Sequence, residues 1–158
     1  MANDPGHEGN TPLLQETVRR RADLHSALVE VEEAISAPAP GRVKEWATNV
    51  AARLLHLRTC FDDHIRGTEE QGGLYDDILH RAPHLAGKVK RLRDEHPMIQ
   101  LSIAKELQRT SGDLPEAEEA IDELRDDIQR LLGKIIHHRQ HGADLMWEAY
   151  NLDIGGTG

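Results

Sequence analysis

The chain has 158 residues, a length that suits a single domain with one hydrophobic core. Hydrophobic residues make up 38% of it and charged residues 30%, as in an ordinary soluble protein, while the net charge of −9 disfavours nucleic acid and anionic membranes as partners. The single cysteine excludes a disulfide framework and a thiolate zinc site, and it favours a cytoplasmic location.

Segments rich in proline and glycine divide the chain into four predicted helices. Residues 1–12 are polar and aperiodic, so we expect a disordered lead-in there, and we expect a flexible tail at 153–158. The helix breaks lie at 37–41, 80–83 and 111–115. Gly72 and Gly73 interrupt the second stretch and predict a separate turn or short helix after it. Four helices with short connections predict an all-α fold, a four-helix up-and-down antiparallel bundle over residues 13–152.

Each predicted helix places one histidine on its apolar stripe, the set of positions that recur every three or four residues on a buried helix face. In chain order the stripes are Val18, Ala22, His25 and Val29; Val50, Leu54, Leu57, Phe61 and His64; Leu92, His96 and Ile99; and Ile135, His138 and Leu145. An up-and-down bundle brings four such imidazoles to a comparable depth, which predicts one pocket inside the bundle.

Four histidines in one core favour a metal site, although a single one is more often a hydrogen-bonded core residue. A buried imidazole without a partner costs about 1–3 kcal/mol, because its hydrogen bonds with water are lost. A metal ion removes that cost by accepting the lone pair of each ring.

Acidic residues follow two of these histidines and offer carboxylates to the site. Both runs have the order histidine, glycine, acid: His64, Gly67, Glu69 and Glu70 in the second helix, and His138, Gly142 and Asp144 in the fourth. On a regular helix an acid five or six residues away points about 140° or 240° from the histidine, whereas a π-bulge at the glycine would turn it back. Glu69 needs less distortion than Glu70, and Glu148 is the alternative to Asp144. The alternative is that both acids lie on the solvated face.

The order of these residues resembles the hemerythrin-like family of cation-binding bundles. The matching segments are 22–25, 61–64 with Glu69 and Glu70, 94–96, and His137 and His138 with Asp144, within roughly residues 14–150. The resemblance implies a four-helix bundle with non-haem iron, as a diiron or mono-iron centre. It also implies the metal ligands His25, His64, Glu69, His96, His138 and Asp144.

The third helix departs from the oxygen-carrying members of that family, which have two histidines one turn apart there. The residues one turn from His96 are Leu92 and Gln100. One ion of a pair would then lack a ligand unless His137 or His141 supplies it. A single iron with two histidines and a carboxylate is the other possibility.

The resemblance implies a protein that binds or senses dioxygen, or a related small ligand such as peroxide or nitric oxide, at this iron centre. No residue is assigned a catalytic role. One alternative is a metal-free helical bundle that binds a partner and pairs its histidines with buried acids. Another keeps the site but fills it with zinc or manganese, since imidazole and carboxylate bind several divalent ions.

Overall fold

Four long helices and one short helix build the computed structural model, which describes residues 5–151, with side chains from Pro12 onward. They are α1 (Pro5–Ser36), α2 (Val43–Glu69), α3 (Leu74–Arg81), α4 (Ala86–Ser111) and α5 (Glu118–Tyr150). A 3₁₀ turn, Pro83–Leu85, precedes α4. Residues 5–151 contain no β-strand, so the predicted all-α fold is confirmed.

The long helices pack in a ring, as an up-and-down bundle requires. α1 packs against α2 and α5, and α4 packs between α2 and α5 on the opposite side. The short helix α3 contacts all four long helices and covers the end where α2 finishes. None of the helices within the described part of the chain is long and apolar enough to span a membrane.

The helices end at the predicted breaks. Gly41 and Gly72 have φ values of 77° and 76° in the connections on either side of α2, a backbone region that glycine occupies without strain. The separate short helix predicted after Gly73 is confirmed as α3.

The first helix begins earlier than the sequence predicts. Its backbone is helical from Pro5, within the stretch where we expected a disordered lead-in at 1–12. Proline suits this place because the first helical residue has no intrahelical bond for its nitrogen to lose. Residues 1–4 of the lead-in and the tail predicted at 153–158 lie outside the described residues.

Two clusters of buried apolar side chains fill the bundle. The larger cluster joins α1, α2, α4 and α5 and contains Trp46, Phe61 and Ile103. The smaller one lies beside α3, where Tyr75 packs with residues of α4 and α5 such as Leu145. The chain direction alternates between helices, so each cluster occupies one half of the bundle's length.

Arg125 of α5 fixes the end of α1 at the far side of the larger cluster. Its Nε donates to the carbonyl of Ile35 and its Nη2 to the carbonyl of Ala37, both at 2.8 Å. These carbonyls would otherwise lack partners, because the last turn of a helix leaves its C=O groups unbonded.

The buried stripe of α1 lies one position away from the predicted one, so that prediction was wrong. It contains Thr17, Arg21, Leu24, Ala27, Leu28, Val31, Ala34 and Ile35. Val18 and Val29 are 44% and 38% exposed, and His25 is exposed as well. The observed stripe buries large aliphatic side chains such as Leu24 and Leu28, whereas the predicted stripe contains the small Ala22. The face with the larger apolar area turns inward, because burying it removes more apolar surface from water.

Candidate metal centre

Three histidines from three helices meet inside the bundle. His64 of α2, His96 of α4 and His138 of α5 are buried, and their ligand atoms all lie within 4.8 Å of one another. The Nε2 atom of His138 lies 3.1 Å from Nε2 of His64 and 3.2 Å from Nε2 of His96. We call these three residues the histidine cluster.

The apolar stripes place the histidine cluster between the two hydrophobic clusters. On α4, His96 follows Leu92 of the smaller cluster and precedes Ile99 of the larger one. The ring of Phe61, in the larger cluster, lies 5.6 Å from that of His64 and 5.8 Å from each of the other two imidazoles. The three imidazole rings therefore pack on one side against the apolar ring of Phe61.

Two glutamates orient the imidazoles from outside. Nδ1 of His96 lies 2.6 Å from Oε2 of Glu69, and Nδ1 of His138 lies 2.8 Å from Oε1 of Glu95. An ionised carboxylate only accepts hydrogen bonds, so each Nδ1 is the donor and carries the hydrogen. In the neutral ring Nε2 then has a free lone pair, which points into the histidine cluster.

The lone pairs of His96 and His138 therefore face each other across 3.2 Å. Two lone pairs form no hydrogen bond, whereas a cation between them would satisfy both. Two imidazole nitrogens at about 2.1 Å from one ion are roughly 3.0 Å apart in octahedral and 3.4 Å apart in tetrahedral coordination. The observed separations of 3.1 and 3.2 Å fit a shared metal ion.

Burial keeps these imidazoles in the neutral form that metals bind. It is the main reason that the pKa of His64 lies well below 6.5, and the neighbouring His138 and His96 lower it further. Burial also lowers the pKa of His96 and of His138, although the adjacent glutamates partly oppose that effect. Neutral rings at pH 7 follow.

A cavity of about 20 Å³ adjoins the histidine cluster where α1, α2, α3 and α5 approach one another. It is lined by His64, His138, Tyr75 and Arg21, among others. The Tyr75 ring stacks on His96, and its hydroxyl lies 3.4 Å from Nε2 of that ring. Burial raises the pKa of Tyr75, so its phenol remains a hydrogen-bond donor.

Arg21 is the contribution of α1 to this cavity. The residue is 6% exposed, and its Nη1 donates to the carbonyl of Arg139 at 3.3 Å. Among the described residues its Nη2 has no hydrogen-bond partner. Burial lowers the pKa of Arg21 to about 10, with the charge of Arg139 as a second cause. The guanidinium is therefore still charged at neutral pH.

The structure brings together three of the six predicted ligands: His64, His96 and His138. Glu69 lies beside them but contacts the outer nitrogen of His96. His25 and Asp144 are exposed and lie outside the histidine cluster.

The alternative ligands also lie outside the histidine cluster. Glu70, His137 and His141 are exposed. Glu148 forms an ion pair with Lys88 on the surface.

The predicted π-bulges are wrong, because α2 and α5 are regular α-helices around both glycines. Gly67 instead makes room for an arginine of α1, because a Cβ atom there would overlap the guanidinium of Arg20. A Cβ atom on Gly142 would make only an ordinary van der Waals contact, 3.6 Å from Nη1 of Arg21. Without a bulge, Glu69 points away from His64 and reaches α4.

The sequence patterns did not identify two residues of the site, Glu95 and Arg21. Glu95 precedes His96 along the chain but binds His138 on the neighbouring helix, a pairing that no local spacing reveals. Arg21 belongs to a basic run, yet its spacing of three and seven residues from Leu24 and Leu28 was a usable signal that it is buried.

No family model, curated protein or solved structure matches this chain. The geometry of the histidine cluster is therefore the main evidence on function.

Proposed function

We propose that the protein binds one divalent transition-metal ion at the histidine cluster and a small molecule beside it. The observation that carries this proposal is the approach of Nε2 of His96 to Nε2 of His138 at 3.2 Å, while a glutamate contacts Nδ1 of each ring and so favours the tautomers that leave both Nε2 lone pairs free. A buried pair of this kind is stabilised by a cation.

The donor set favours a single ion. Three neutral imidazoles suit iron, zinc or copper, and they leave coordination positions open. Within residues 12–151 the histidine cluster is the one group of at least three histidine, cysteine or carboxylate side chains with metal-binding geometry. We propose iron as the resident metal, in keeping with the family resemblance, and one ion instead of two.

The neighbouring side chains support a ligand-binding role. The cavity beside His64 and His138 offers a small molecule space next to the proposed ion, and the Tyr75 hydroxyl lies at its edge. Dioxygen, peroxide and nitric oxide are the ligands that the resemblance implies. A bound metal would supply an electron-pair acceptor there, while Phe61 and its apolar neighbours exclude bulk water.

A metal-free bundle that binds a partner is the second candidate, because His96 and His138 do pair with acids. Those pairs use Nδ1, and without a metal the Nε2 atoms of His96 and His138 have the Tyr75 hydroxyl at 3.4 Å and the ring of His64 at 3.1 Å as neighbours. The first candidate explains in addition why the Nε2 atoms of three imidazoles converge on one point.

Two adjacent histidines of α5 provide the test. His138 is buried in the histidine cluster, whereas His137 is exposed. We expect His138→Ala to lower bound metal at least about ten-fold, because a ligand is lost, and His137→Ala to leave it unchanged. The measurement is metal content by mass spectrometry after growth with iron and purification without chelator.

Equal metal content in the two variants would contradict the proposal. So would wild-type protein that contains no metal and binds no added Fe(II) without oxygen present.

A further inference from the structure

Arg21 is a buried cation to which the described part of the chain offers no acidic partner. Its neighbour Arg20 forms an ion pair with Asp63, whose Oδ2 lies 3.5 Å from Nε. Within residues 12–151, no carboxylate forms an ion pair with Arg21, and its Nη2 is buried without a hydrogen bond. An unsatisfied charged donor in a protein interior costs several kcal/mol, so its retention calls for a partner.

The charges around the cavity favour an anion as that partner. Glu69 and Glu95 contact His96 and His138, and Glu69 also pairs with Arg93, so these carboxylates supply at most two negative charges to balance one divalent cation. The charge of Arg21 is then in excess. A guanidinium also offers parallel N–H donors that suit anions better than neutral molecules.

We propose that the cavity binds a small monoanion through Arg21, on the open side of the histidine cluster. This inference rests on the proposed metal centre, which would supply the second positive charge. A volume of about 20 Å³ limits the ligand to a few atoms, such as hydroxide, azide or nitrite. Tyr75, which lines the same cavity, is placed to donate a further hydrogen bond.

Azide binding to the Co(II)-loaded protein tests the role of Arg21. The visible spectrum of Co(II) reports coordination, so a titration gives the azide dissociation constant without any activity assay. We expect Arg21→Met, which keeps an aliphatic stem, to weaken azide binding at least about ten-fold, because a charge-assisted hydrogen bond is lost. Arg19→Gln is the control, since Arg19 is exposed on the same helix and its change removes the same charge.

Arg21→Gln is the second variant, because its amide still donates toward the carbonyl of Arg139 and supports folding. Melting temperatures identify which variants are folded. Azide affinity within two-fold of wild type in either folded variant would overturn the role of Arg21, as would a Co(II)-loaded wild type that does not respond to azide. Failure of the wild type to take up Co(II) would instead overturn the metal centre itself.

Discussion

Glu69 and Glu95 determine which nitrogen of each buried histidine is available to a metal. Each carboxylate lies on a different helix from the histidine that it contacts, at 2.6 Å from His96 and 2.8 Å from His138. A fixed hydrogen on Nδ1 locks both the tautomer and the ring orientation. The glutamates therefore shape the site without entering it.

Replacing Glu95 with Gln is expected to weaken metal binding about 10–100-fold, since the amide orients His138 but lacks the charge that makes its ring more basic. Competition with a chelator of known affinity measures the change. The matched control is Asp94→Asn, at an exposed position paired with Lys90. Unchanged affinity in Glu95→Gln would show that the carboxylate has no part in the site.

The buried histidines were predictable from sequence for a physical reason. His64, His96 and His138 each continue a stripe of large apolar residues, so burial of the stripe also buries the imidazole. His25 was assigned wrongly because two possible stripes of α1 differ by one position, about 100° of helix rotation. Glu95 was missed because its partner lies on another helix.

At the scale of the helices, some glycines allow a neighbouring side chain to approach closely, and others lie where helices end. Gly67 lies inside α2 and leaves space for Arg20 of α1, a close approach that the sequence does not reveal. Gly73 lies between α2 and α3 as the residue that precedes α3, and its N donates to the carbonyl of Glu70 at 2.8 Å. The breaks were predictable because proline and glycine act locally, whereas packing across helices is not local.

Two glycine-to-alanine changes should have opposite effects on the free energy of unfolding. A Cβ on Gly73 would lie 2.7 Å from the carbonyl oxygen of Gly67, so Gly73→Ala is expected to destabilise by about 1–3 kcal/mol. Gly133 is inside α5 with nothing within 4 Å of its Cβ position, and Gly133→Ala should stabilise by about 0.5–1 kcal/mol. Urea unfolding gives both values, and effects of the same sign would refute this account of the two sites.

Across the whole molecule, the histidine cluster and Arg21 form one polar layer that separates the two hydrophobic clusters. All four long helices contribute to it: Arg21 from α1, and a histidine each from α2, α4 and α5. The bundle could be predicted from the four amphipathic stretches and their short connections. The contacts within the polar layer could not be predicted, because they depend on which helices become neighbours.

The chelator-treated protein should lose stability on acidification. Burial lowers the pKa of His64, His96 and His138 below the value of 6.5, so the unfolded chain binds more protons than the folded one as the pH falls through that value. The unfolding free energy from urea titration should therefore be lower at pH 5.5 than at pH 7.5. The decrease should be smaller in His64→Leu, and an equal decrease in both proteins would contradict a buried neutral His64.

The histidine cluster also links the kinetics of assembly to an optical signal. His64 and His138 are 74 residues apart in the chain, and His96 and His138 are 42 apart. Individual helices form from local contacts within about a microsecond, whereas a site made by α2, α4 and α5 exists only after those helices have docked. In a refolding experiment with Co(II), the delay between helical circular dichroism and the appearance of colour would therefore time the docking step.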